Sequence, residues 1–370
     1  MYSSFFNGWI GKMDETWSRK VREKLFSSLV SFFRKETSPG QKLFISFDHN
    51  QTSKYMALEA ANYFCTYGIP VFISNRPIST SMVQVISKER FGCGSLSFVN
   101  DDYPFPYIGL KASTSEGTFL SDRNLNDSQD NSVTKKTQLE WFDPYLNLKH
   151  YIETNFDIPS HSIPIDSLVW NAMFSPSSPI LEELFTDVFN KKSIDAYSIN
   201  SFESSLANEI KIEIDMQEQL DVTRMMMDHF STNYGITTSP DLTKIDIQRL
   251  STNNVSNVEI EEIAKRVFPY LKTKDKLIIS DRISYSSEKK LKDHFTVKKV
   301  PQDKFHSTLR NEYFSLAIDD NGQIYLQNEL FANQFATLFF LLHSFIFSSK
   351  NTKNNDIKDE NKENAGGVGL

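Results

Sequence analysis

Leu96-Ser-Phe-Val-Asn-Asp-Asp-Tyr-Pro-Phe-Pro-Tyr-Ile-Gly-Leu-Lys111 is the stretch whose reading decides the fold. It opens as an apolar strand, Ser95 to Asn100, and turns at the pair Asp101 and Asp102 before a proline-rich bend. Aspartates after a strand ordinarily cap the turn or helix that follows, their side-chain oxygens accepting from backbone N–H groups. Two other roles fit Asp101: a nucleophile, or a fixed negative charge.

Outward from this stretch the chain alternates between strands and helices. Before it come a strand at Lys42 to Asp48 and an amphipathic helix at Ser53 to Tyr67, closed by Gly68. A strand at Ile69 to Ser74 and a helix at Thr80 to Glu89 follow. Such alternation with short turns implies parallel pairing. Residues 112–138, rich in Ser, Thr, Asn and Asp, read as an irregular polar insert. A second unit runs through a helix at Pro144 to Asn155, a strand at Ile165 to Trp170, a helix at Pro179 to Phe189 and a strand at Ala196 to Ile199. It ends with a helix at Met216 to Thr232 and a strand near Thr237 to Ile247. The third unit has helices at Val258 to Leu271 and Ser286 to His294, with strands at Lys276 to Ser280, Thr296 to Val300, Tyr313 to Ile318 and Ile324 to Leu326. The expected domains are 1–140, 141–250 and 251–348, with a polar, disordered tail at 349–370.

Composition narrows the function classes. A chain of 370 residues supports several domains and a substantial core. The formal net charge of −7 gives no broad basic footprint for nucleic acid or an anionic membrane. Lys272, Lys274, Lys276, Lys289, Lys290, Lys292, Lys298 and Lys299 make the third unit locally basic, which reads as a solvated face. Phe331 to Phe347 is strongly apolar but shorter than the roughly 20 residues of a spanning helix, and reads as a buried helix. Cys65 and Cys93 are expected as reduced core thiols of a cytoplasmic protein, and the N-terminus lacks the pattern of a signal peptide. The seven histidines form no ligand pair, and no P-loop, G-x-G-x-x-G or G-x-S-x-G occurs.

The order and spacing of several landmarks resemble those of the alpha-D-phosphohexomutases, the phosphoglucomutase and phosphomannomutase superfamily. Loop 96–111 resembles their phosphoserine loop, I-M-I-T-A-S-H-N-P-P-E-Y-N-G-I-K, through Pro104, Tyr107, Gly109 and Lys111. Asp101 falls at the phosphoserine position and Asp102 beside it. Gly8-Trp9-Ile10-Gly11 resembles G-W-R-G, and Phe47-Asp48-His49-Asn50 resembles Y-D-T-R. In both, an arginine able to grip phosphate bidentately is replaced. Residues 235–247 match the family's magnesium loop, G-I-A-T-D-G-D-A-D-R-I-A-V, in length. Within 239–244, Ser239, Asp241 and Thr243 fall at the ligand positions and Lys244 at the arginine. Residues 318–323 occupy the place of the sugar-reading loop, with Asp319, Asn321 and Gly322, although Asp-Asn-Gly is also an ordinary hairpin turn.

The resemblance implies an α/β fold of three consecutive α/β/α sandwich domains with mixed, mostly parallel sheets. It further implies a truncated member, running into a polar tail where the family has a fourth domain. Several catalytic parts are altered together, which points to a degenerate member acting as a binding, scaffold or regulatory protein. No cofactor is expected in that case, and the expected partner is another protein or a second copy of the chain. Residual sugar-phosphate affinity would fall to Lys111, Lys244, Asp319 and Asn321. The alternative is an active phosphosugar mutase with a rearranged site, which would require Mg2+.

Overall fold

A computed structural model describes residues 3–5, 8–13, 15–99, 107–125, 136–158, 162–164, 167–189, 196–199, 216–242, 244–251, 254–272, 274 and 276–349. Three mixed sheets follow one another along the chain, each with parallel strands at its centre. The first is built from β1 (Ser3–Phe5), β2 (Gly8–Lys12), β3 (Leu43–Phe47), β4 (Val71–Ser74), β5 (Gly94–Val99), β6 (Tyr107–Thr114) and β7 (Leu139–Phe142). Its order is β1-β2-β6-β5-β3-β4-β7. Helices α1 (Arg19–Glu36), α2 (Gln51–Thr66) and α3 (Thr80–Glu89) belong to this unit.

Helix α4 (Pro144–Asn155) leads through β8 (Ser162–Pro164) to the second sheet. That sheet holds β9 (Leu168–Asn171), β10 (Ala196–Ile199), β11 (Tyr234–Thr238), β12 (Ile245–Ser251) and β13 (Asn254–Asn257), with α5 (Ser178–Phe189) and α6 (Met216–Phe230). After α7 (Ile260–Val267) comes the third sheet, made of β14 (Leu277–Ser280), β15 (Val297–Val300), β16 (Leu316–Ile318) and β17 (Ile324–Leu326). Helices α8 (Tyr285–Lys292), α9 (Phe305–Asn311) and α10 (Gln334–Ile346) accompany it, and the final strand β18 (Phe347–Ser349) returns to pair with β8.

The local chemistry of these elements is plain. Asn50 caps α2 through Oδ1, which accepts from the Thr52 amide at 2.8 Å, and Gly68 at φ 84° ends the turn beyond it. Asp143 caps α4 ahead of Pro144 at the first helical position. β6 alternates buried Ile108, Leu110 and Ala112 with half-covered neighbours, as a strand with one buried face should. It therefore continues through Ala112 to Thr114, into the stretch expected as an irregular insert, and residues 126–135 of that stretch lie outside the described residues. Ser113 is accommodated because its hydroxyl meets that of Ser95 at 2.6 Å. The helix expected to reach Leu271 gives way to a 3-10 turn at Phe268–Tyr270, where Pro269 cannot extend the α-helical bonding.

Within the apolar run at 331–347, Gln334–Ile346 forms α10, buried at every residue but Ser344, and no helix among the described residues is long and apolar enough to cross a membrane. Residues 350–370 lie outside the described residues.

Candidate functional site

In an open α/β sheet, ligands bind beyond the carboxyl ends of strands, where successive connections leave in opposite directions. In the first sheet that point lies between β3 and β5: the chain leaves β3 toward β4 on one side, and leaves β5 toward β6 on the other. The two strand ends are tied by the Asp48 amide, which donates to the Phe98 carbonyl at 3.1 Å. Asp101 and Asp102, in the connection beyond β5, lie outside the described residues. Beside β3 is a cavity of about 310 Å³ lined by Phe47, Asp48, His49, Gln51, Lys54, Asn75 and Pro77. Asp48 Oδ1 accepts from the Asn50 amide at 2.9 Å, so this carboxylate and the Asn50 side chain both serve the start of α2.

The glycines of the Gly8–Gly11 landmark are explained by packing. A Cβ on Gly8 would come within 2.4 Å of the Leu110 carbonyl oxygen, and one on Gly11 within 2.4 Å of the buried Trp17 ring. These contacts fasten β2 against β6, the strand that carries Lys111.

Lys111 points across to the second sheet. Its Nζ donates to Asp241 Oδ2 at 2.6 Å, and the two side chains are 17% and 8% exposed. The Asp241 loop is closed upon itself. Ser239 Oγ donates to Asp241 Oδ1 at 2.9 Å and accepts from the Lys244 amide at 2.9 Å, while the Ser239 amide donates to the Lys244 carbonyl. Leu242 takes a left-handed φ of 55°, and Ser175 Oγ donates to the Pro240 carbonyl at 2.7 Å. Lys244 is exposed, its charge offsetting part of the burial that raises the pKa of Asp246. Thr243 lies outside the described residues.

This donor set does not fit a divalent cation. Magnesium asks for near-octahedral oxygen coordination and is usually held by carboxylates. Of the described side chains in loop 239–244 only Asp241 is a carboxylate; each of its oxygens already accepts a hydrogen bond, and one faces an ammonium that a metal would have to displace. Among the described residues, no three His, Cys, Asp or Glu side chains gather as a metal cluster.

In the third sheet, Asp319 is turned inward. Its Oδ1 accepts from the Asn321 and Gln323 amides, both at 2.9 Å, and Tyr325 OH donates to Oδ2 at 3.4 Å. Burial raises its pKa, against the opposing pull of those backbone amides. The carboxylate thus shapes the β16–β17 hairpin, with Gly322 at φ 74° and Asn321 exposed at its tip. The structure brings Lys111 and Asp241 together, and separately joins Asp319 to the Asn321 backbone.

A polar node escapes motif reading. Glu329, just before α10, accepts from Tyr151 OH at 2.8 Å and from Asn333 Nδ2 at 2.7 Å, with Lys88 Nζ at 3.7 Å. Its members come from α3, α4 and the approach to α10. The available signal was an acidic residue directly before the apolar run Leu330-Phe331.

No protein-family model and no curated protein matches the sequence. Solved structures do match the fold. A candidate phosphomannomutase of Thermus thermophilus aligns at TM-score 0.73 and 12% identity, over 93% of this chain and 80% of its own. A phosphoglucomutase/phosphomannomutase family protein of Burkholderia thailandensis aligns at 0.68 and 13%, over 91% and 75%. The open form of parafusin, a phosphoglucomutase of Paramecium, aligns at 0.68 and 11%, over 91% and 69%. The likeness at these identities is one of architecture: the chain has the fold of these phosphomannomutase and phosphoglucomutase structures.

Proposed function

We propose that this chain keeps the phosphohexomutase architecture and works by binding, as a scaffold or regulatory protein, without mutase turnover or a resident metal. The supporting observation is the state of Asp241, the one described carboxylate of loop 239–244, which is paired with Lys111 at 2.6 Å. A phosphoryl transfer depends on cations placed around the moving group. Here a cation and an anion of the chain neutralise each other instead. Residual affinity for a sugar phosphate would rest on exposed groups such as Lys244 and Asn321, since Lys111 and the Asp319 carboxylate are engaged internally. The partner in this reading is another protein or a second copy of the chain. The compartment is the cytoplasm, in keeping with the buried free thiols Cys65 and Cys93.

A thermal-shift titration with hexose 1-phosphate, hexose 6-phosphate and the 1,6-bisphosphate, each with and without magnesium, tests the reading. A ligand at about a hundred times its dissociation constant stabilises a fold by roughly 2.7 kcal/mol, which is readily seen. We expect no magnesium-dependent shift. A shift that appears only with magnesium would overturn the proposal and restore the mutase.

A further inference from the structure

We infer that Lys111 and Asp241 form a standing latch between the first and second sheets, an ammonium of the chain supplying the neutralising charge that a bound cation would otherwise bring. The inference rests on the reading that loop 239–244 holds no metal. It adds a mechanical consequence: these two domains stay docked in one arrangement.

Both halves of the latch are held before they meet. Lys111 lies on β6, in register with Ser97 of β5, and β6 is clamped from its other side by β2. Asp241 is aimed by Ser239 Oγ and by a loop that closes where the Lys244 amide donates to Ser239 Oγ and the Ser239 amide donates to the Lys244 carbonyl. The two lie 130 positions apart, and the chain between them includes the whole of α4, α5 and α6, so the pair closes a long excursion of the chain. Other contacts along the seam are of a different kind. The Ser79 amide donates to Ser177 Oγ at 3.1 Å, a neutral bond. Arg76 and Glu183 pair at 2.8 Å, but are 35% and 44% exposed, where solvent screens the attraction. A pair withdrawn from water, as Lys111 and Asp241 are, loses more than an exposed pair when one member is removed.

The test compares amide hydrogen exchange in the wild type with Lys111→Met, Asp241→Asn and the double variant. We expect each single change to speed exchange at least tenfold at both 107–114 and 234–242, while the third sheet at 277–326 keeps its protection. The double variant should be no faster than the worse single, because both changes remove the same interaction. It removes both charges of the pair at once, so it also reports where a single variant fails to fold. A seam as protected in the double variant as in the wild type overturns the latch, as do single effects that simply add. Magnesium binding by the wild type would defeat the functional reading and, with it, the latch that rests on it. An insensitive seam without magnesium binding would defeat the latch alone.

Discussion

A carboxylate withdrawn from water is costly unless hydrogen bonds and charge hold it, and Glu329 is held on each side. Tyr151 and Asn333 each give it a hydrogen bond, and Lys88 stands 3.7 Å away. Burial pushes its pKa above the ordinary 4.5, the Lys88 charge and the two hydrogen bonds pull it down, and Glu89 on α3 adds to the rise. A carboxyl raised in the folded state contributes stability that is fully present below its unfolded pKa and is lost as pH rises through the folded value. Glu329→Gln removes that dependence. Its melting temperature should therefore gain on the wild type as pH is raised from about 5 toward 8, starting near the 4.5 of the unfolded group. Parallel melting curves across that range would refute the assignment. The same scale shows what sequence could not offer. Lys111 and Asp241 each stand out by spacing, yet at a separation of 130 positions nothing in the sequence says that one neutralises the other. Only the docking of two sheets does.

Strand β6 is the harder element to read, and the reason is physical. Its Ser113, like Ser95 and Ser97 of β5, sits on a buried position, but it falls in a polar stretch that looks like loop chemistry in a sequence, whereas β5, expected at Ser95 to Asn100, is found at Gly94–Val99. In the sheet they pair hydroxyl to hydroxyl: Ser95 with Ser113 at 2.6 Å, and Ser97 with Ser46 at 2.9 Å. A buried hydroxyl that loses its partner suffers its full desolvation cost, whereas removing both can be nearly neutral. Ser113→Ala alone should therefore destabilise by about 1–3 kcal/mol, and Ser95→Ala/Ser113→Ala by clearly less. Urea unfolding of the three proteins decides it, and a double variant weaker than the single would sink the explanation. By contrast α3, Thr80–Glu89, and α4, Pro144–Asn155, were legible to the residue, because polar caps and Pro144 mark their starts. Helix α1 has an equally readable stripe in Leu25, Phe26, Leu29, Val30 and Phe33, but lies between the motif landmarks and goes unnoticed where motifs lead.

At the scale of the molecule, α10 decides how independent the three sheets can be. Its first turn receives Ser81 of the first unit, whose Oγ accepts from the Phe335 amide at 3.2 Å. Midway, Phe339 packs edge-on against Phe185 of α5 at 5.8 Å, and Phe340 stacks on Tyr270 at 4.6 Å. Near its end, Arg266 of α7 donates to the Ser344 carbonyl at 2.9 Å, and β18 then pairs with β8. One continuous apolar cluster accordingly runs from Phe44 and Ile78 through Trp170 and Phe185 to Leu277 and Leu316, with α10 inside it. Domains joined only by linkers unfold in separate steps, whereas a shared core makes loss of one unit expose the others. Calorimetry should then show a single endotherm for the whole chain. Phe339→Ala, which empties the centre of the cluster, should lower that endotherm as a unit through a loss of about 3–5 kcal/mol. Two resolved transitions, with only one of them moved by the substitution, would mean that the sheets fold independently and that α10 merely fills a gap between them.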